Sequence, residues 1–265
     1  MTKLAHAWTR RVTSDEPIVR ASHERVAVSA DFTAYLIRAD GKLLAKKYYK
    51  GTRLGRPCIS PSLTAFPAEN FVFLFENKRG KPSGVIPTGT KGIDCAFKED
   101  RLALLTPKSV LFYEHDGEKF VRSGKKRIKG EGLSLDWRNE LVVGTTEGIH
   151  IGKKFLPVGR VDLVRDGPLL ATSVPGGLAV FDGTEELWRK EGIEVTGLSW
   201  LGDVLAVGDR SKKRVVTFTA EGEELEEFKF PGAVRSFDWD VVMVVAQRRK
   251  VMAFILLPTS DEPSQ

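Results

Sequence analysis

Two dense basic runs, Arg210-Ser211-Lys212-Lys213-Arg214 and Arg248-Arg249-Lys250, are the strongest chemical signal in this chain. Cationic clusters of this kind hold polyanions through phosphate or carboxylate contacts, and such binding weakens steeply with salt. Further bases gather at Lys50, Arg53 and Arg56, at Lys125, Lys126 and Arg127, and singly at Lys91, Lys129 and Arg160. Tyr48 and Tyr49 lie beside Lys46, Lys47 and Lys50, and their rings could stack on unpaired bases. Catalytic constellations are thin by comparison. The four histidines, His6, His23, His115 and His150, are widely separated. Neither a phosphate-binding loop nor a dinucleotide fingerprint occurs. Cys58 and Cys95 do not make a disulfide framework and are expected to be small buried thiols.

The elements that carry these residues follow from a repeat. Gly41, Gly80, Gly117, Gly152, Gly183 and Gly222 recur at intervals of 31 to 39 residues. Most follow a charged residue and separate two apolar runs, as in Asp40-Gly41, Asp116-Gly117 and Glu221-Gly222. Tight hairpin turns need a residue that tolerates positive φ. A period near 40 residues built from short strands is the sequence pattern of a β-propeller. Between the turns, inner strands end on aromatics: Phe97, Trp137, Trp200 and Trp239. Second strands such as Leu141-Val142-Val143-Gly144 and Val204-Leu205-Ala206-Val207-Gly208 are apolar on both faces, as strands between stacked sheets must be.

The expected fold is therefore all-β, a seven-bladed β-propeller of four-stranded blades in a single domain over residues 1–258. Blades are expected to start near residues 18, 56, 92, 131, 160, 194 and 233, with a polar tail at 259–265. The seventh blade runs out of chain after Val251-Met252-Ala253-Phe254-Ile255-Leu256. Its missing outer strand is supplied by residues 4–12, which alternate in polarity and would remove a sheet edge by closing the ring. The inner strand ending in Trp, followed by a turn, a strand such as Leu-Ala-Val-Gly and an aromatic third strand, resembles WD-repeat propellers. That family's Gly-His pair is missing, and Val180-Phe181-Asp182 is the nearest match to its Trp-Asp pair. The resemblance implies scaffolding by partner binding, without catalysis or a cofactor.

In this register the turns between second and third strands and the crossovers between blades share one face, here the top. Arg210, Lys212, Lys213, Arg214, Arg248, Arg249 and Lys250 fall there, with Lys50, Arg53, Arg56, Lys125, Lys126 and Arg127 on the crossovers. The other face, the bottom, takes Asp116, Glu118, Asp182, Glu185, Glu186, Asp203, Glu221, Glu223, Glu224, Asp238 and Asp240. The formal charge of +6 thus hides an expected top near roughly +12 and a bottom near roughly −9 by loop counting. Asp15-Glu16-Pro17 reads as a polar linker.

Three readings stay open. In the first, the basic top docks a negatively charged partner, RNA or a ribonucleoprotein. In the second, the ring is a purely protein-binding scaffold, touched at the bottom or rim. In the third, it is a propeller hydrolase or lactonase using the channel acids Asp94 and Asp162 around a metal. No two histidines share a site in the register, so a histidine metal centre or a Ser-His-Asp triad is not expected. No metal, cofactor or small-molecule substrate is expected under the first two readings. No apolar run reaches the 18 residues of a spanning helix, and the N-terminus lacks a signal-peptide core, so a soluble cytoplasmic protein is expected. Three Asn and two Gln among 29% charged residues is a thermophile tendency.

Overall fold

The computed structural model describes residues 2–258; the polar tail at 259–265 lies outside the described residues. Twenty-eight strands form seven four-stranded antiparallel sheets, and among the described residues there is no helix. Six sheets are consecutive four-strand meanders. The inner strands are Ile18–Ser22, Cys58–Ile59, Asp94–Lys98, Gly132–Trp137, Val164–Arg165, Val195–Leu201 and Ser236–Trp239, for blades one to seven. The seventh blade is completed out of sequence. Thr2–Arg11 pairs antiparallel with Lys250–Pro258, so the N-terminal strand closes the ring as expected.

Each seam between neighbouring sheets holds its own apolar cluster. Val244, Ala246 and Val251 of blade seven meet Val19, Val26 and Val28 of blade one. Six further clusters fill the other six seams in the same way. The second strands are buried on both faces for this reason, as in Met243–Gln247, and the outer strands carry the exposed charge.

Outer-strand tryptophans tie the glycine turns to the preceding blade. Trp8 of the closing strand donates its Nε1–H to the Ala39 carbonyl at 2.7 Å and lies over Gly41 of blade one. Trp188 of blade five repeats this on blade six, donating to the Ala220 carbonyl at 2.7 Å and covering Gly222. Both glycines have positive φ, 89° and 90°. A Cβ at either would fall within 2.8 Å of an indole ring atom.

Cys58 and Cys95 form a disulfide, contrary to the expectation of two free thiols. The reason is radial. Sheets that splay at the rim converge at the axis, where the two inner-strand Cα atoms are 5.5 Å apart. The bridge links blades two and three across 37 residues of chain. On chain-entropy grounds a loop of that length is worth roughly 4 kcal/mol. Such bonds persist in oxidising compartments and in the cytosol of hyperthermophiles.

Replacing Gly222 by alanine should destabilise the fold by roughly 1–3 kcal/mol, since it combines left-handed strain with an indole clash. Gly183→Ala shares the positive φ but meets nothing within 4 Å, and should cost less. Chemical denaturation of the two variants measures the difference. Equal losses would show that the tryptophan contact is unimportant.

Candidate interaction face

On the top face, the ring closure rearranges the charges that sequence places together. The segment between the closing strand and blade one passes over blades six and seven. Asp15 accepts hydrogen bonds from the Arg248 and Arg249 guanidinium Nε groups at 3.1 and 2.5 Å. Together the two arginines hold the Asp15 carboxyl below the usual carboxylate range, chiefly through the Arg249 hydrogen bond. Glu16 pairs with Arg235, and with Arg210 at 3.3 Å. Arg210 also reaches Glu194 at 3.6 Å. Asp15-Glu16 is therefore a counter-charge strap laid over the basic clusters, not a mere linker.

Arg214 is a second correction. It is buried, held by Asp209 at 3.2 Å, Glu224 at 3.5 Å and Glu227. Burial opposes its charge, but the three carboxylates outweigh that and its pKa is raised. Arg56 turns inward to the channel side and donates to the Leu133 carbonyl at 2.9 Å. Lys125, Lys126 and Arg127 belong to an outer strand, Phe120–Arg127, and not to a crossover. The Lys126 amine is drawn to the Gly152 carbonyl of the next blade. Arg53 stands 3.7 Å from Asp31. Among the described residues, Lys50, Lys125, Arg127, Lys212, Lys213 and Lys250 keep exposed side chains with no carboxylate partner. The top is thus far less polarised than loop counting implies.

The upper rim of the seam between blades one and two has a different character. Phe71, Phe73 and Phe75 share one face of the strand Phe71–Glu76, and that face packs on blade one. Val85 pairs with Phe73 on the same face. Val85 is 55% exposed and Phe71 42%. Tyr49 of blade one stacks on Phe73 with ring centroids 3.8 Å apart. The exposed Lys47 pairs with Ala34 on the side of blade one that faces blade two. Tyr48 pairs with Thr33, and Lys46 lies over the Tyr35 ring, so both are on the opposite side, toward blade seven.

In the channel, acidic side chains stitch one blade to the next. The Asp94 carboxylate accepts the N–H of Cys95 at 2.8 Å and that of Leu135 in the following blade at 2.9 Å. Asp136 does the same with Trp137 at 3.0 Å and Asp166 at 2.9 Å. Asp238 does so with Trp239 at 3.1 Å and, across the closing seam, with Ala21 at 2.9 Å. Three arginines compensate. Arg165 donates to Asp238 at 2.5 Å and lies 3.9 Å from Asp136. Arg20 and Arg56 each lie 3.7 Å from Asp94. Burial raises the Asp94 pKa, opposed by both arginines and both backbone donors. Burial likewise depresses Arg56, opposed by Asp94. At Arg165 burial opposes the charge, but Asp238 and Asp136 prevail and the pKa is raised.

This arrangement corrects the channel reading. Asp94 is fully buried with its oxygens engaged. Asp162 is exposed, its carboxylate held by Arg160 at 2.7 Å, and it acts on Arg56 only as a nearby charge. Asp238, counted by sequence among the bottom-face charges, is 2% exposed inside the channel. No group of three or more His, Cys, Asp or Glu side chains able to hold a metal occurs among the described residues. His6, His23 and His115 are exposed and apart. His150 is buried, accepts the Lys129 N–H at 2.9 Å and has its pKa pushed down by burial. Sequence reasoning misses Arg20, Arg165 and Asp136 of the channel network and puts Arg56 on the top face instead. Asp136 and Asp238 both precede the aromatic that ends an inner strand, and that position was the available signal.

Removing Asp238 leaves Arg165 with only the more distant Asp136 at 3.9 Å and the Ala21 N–H without its acceptor. Asp238→Ala should cost roughly 3–5 kcal/mol. Asp162→Ala, which removes only an exposed pair, should cost below about 1 kcal/mol. Thermal and denaturant unfolding check the contrast, and similar losses would contradict the distinction between stitch and surface pair.

No protein-family model matches the chain, and no curated protein sequence does. Solved structures do match. A chain of the mitotic checkpoint complex superposes with a TM-score of 0.83 at 12% identity, covering 96% of this chain and 93% of that one. The Myceliophteria thermophila Cps50 (Swd1) β-propeller domain superposes at 0.76 with 10% identity, covering 95% and 99%. At such identities the likeness is one of fold. The sheets, the closure and these superpositions together make the chain a seven-bladed β-propeller.

Proposed function

We propose that this protein is a non-catalytic interaction scaffold that docks an acidic protein partner on the upper rim of the seam between blades one and two. The observation that carries the reading is the exposed pair Phe71 and Val85 on one face of blade two, with Lys47 on the facing side of blade one. Exposed apolar side chains gathered in one place mark interaction sites on soluble surfaces. Aromatic side chains are favoured in interfaces, and flanking charge steers a partner of opposite sign. Lys212, Lys213 and Lys250 extend the positive field over blades six and seven. One structurally similar chain is part of a complex, the mitotic checkpoint complex. That supports a scaffold role for this ring, while a propeller by itself leaves function open.

The channel carboxylates serve as backbone acceptors between blades, which weighs against the hydrolase reading. An RNA partner draws less support than sequence implied, because Arg210, Arg214, Arg248 and Arg249 already have carboxylate partners. Tyr49 is also spent on Phe73.

Affinity purification from the source cells, with and without nuclease, tests the proposal. The expected result is a stoichiometric acidic protein that survives nuclease treatment. It should be lost with Lys47→Glu plus Phe71→Ala and retained with Lys212→Glu plus Lys213→Glu. Loss on nuclease treatment would move the reading to RNA. Retention by the Lys47→Glu plus Phe71→Ala variant would overturn the site.

A further inference from the structure

At the bottom mouth of the channel a cavity of about 410 Å³ opens among the inner-strand ends. Its walls include Phe97, Trp137, Trp200 and Trp239 and the Cys58–Cys95 disulfide. That volume is in the range of small-ligand sites, which pair apolar walls with a few polar groups.

The polar groups are unevenly committed. Asp136 accepts two backbone N–H groups, and Asp166 accepts those of Asn139 and Glu140. Asp238 accepts two N–H groups, the Ser199 hydroxyl and Arg165. Arg165 also donates to the Leu198 carbonyl at 2.7 Å. Arg20 differs from all of these. Its side chain is only 14% exposed and borders the cavity. Its nearest carboxylate is Asp94 at 3.7 Å, beyond hydrogen-bond distance, and Arg56 adds a like charge close by. Asp94 is meanwhile shared with Arg56 and two backbone donors. The five N–H donors of this guanidinium make no hydrogen bond within the described residues, and it borders the open cavity. Their planar fork matches a carboxylate in bidentate geometry. At the rim the exposed Arg138 adds a positive charge and the exposed Asp240 a negative one.

We propose that the bottom mouth is a carboxylate-binding site, with Arg20 gripping the carboxylate and the tryptophan walls taking the apolar body of the ligand. The carboxylate comes either from a free small acid or from the end of a partner chain. The site is on the face opposite the rim between blades one and two and stands or falls separately from it.

Fluorescence of the channel tryptophans in the full chain provides the test. Benzoate and succinate represent free acids, benzamide is the uncharged control, and a pentapeptide ending in Phe is compared as acid and as amide. The expected result is saturable binding of at least one carboxylate at millimolar affinity or tighter, with the matching amide at least tenfold weaker. Arg20→Lys keeps a charge beside Asp94 and should weaken binding about tenfold with an unchanged melting temperature. Arg138→Ala should weaken it less, and Lys213→Ala not at all. Binding of benzoate or succinate assigns a free acid, and binding of the peptide acid alone assigns a partner's terminus. Absence of saturable binding by every carboxylate, equal binding of acid and amide, or undiminished binding by Arg20→Lys would overturn the proposal.

Discussion

Blades of a propeller are not joined by a β-ladder, so something else must satisfy the inner-strand backbone at each seam. In this ring that role goes to carboxylates. Asp94, Asp136 and Asp238 each bind their own strand and the next blade at once, through backbone N–H groups within 3.1 Å. Elsewhere other devices substitute. Ser199 bridges blades six and seven through the Trp239 backbone, and the disulfide joins two and three. A carboxylate in this position brings a charge into the core, which has to be balanced. Arg20, Arg56 and Arg165 supply the balance, Arg20 and Arg165 from two blades away. The cross-braced axis and the engaged acids follow from one requirement.

The same closure decides which surface is left for partners. Threading the N-terminal strand into blade seven carries Asp15 and Glu16 over the tops of blades six and seven. Arginines that look free in the sequence are then neutralised by residues about 200 positions away. What remains unspent is the upper rim between blades one and two, with Phe71, Val85 and Lys47, where no acidic strap crosses. Rigidity of the ring and openness of that rim are complementary, since a partner meets a surface that needs little reordering.

Legibility in the sequence followed the range of each interaction. The glycine turns, the aromatic strand ends and the apolar second strands are local, and they were enough to give seven blades and the closing strand. The Cys58–Cys95 bridge was misjudged because strand spacing near the axis is a property of the ring and not of either strand. Asp162 was placed in the channel by extending a register through blade five, whose inner strand is only Val164–Arg165. Its charge instead meets Arg160 two residues away. Arg214 looked like a turn residue, but it opens a third strand whose partner strand carries Glu224 and Glu227. Long-range charge pairing was the part that the chain order concealed.

The most direct test of the carboxylate stitches is residue-resolved amide hydrogen exchange on the native ring. The amides of Ala21, Leu135 and Asp166 each donate to a carboxylate of the preceding blade. If those bonds hold the ring together, the three amides exchange only by global unfolding, as slowly as the amides of the central strand Met243–Gln247. Exchange of these amides by local opening, while the second strands stay protected, would contradict the account and leave apolar packing alone as the source of closure.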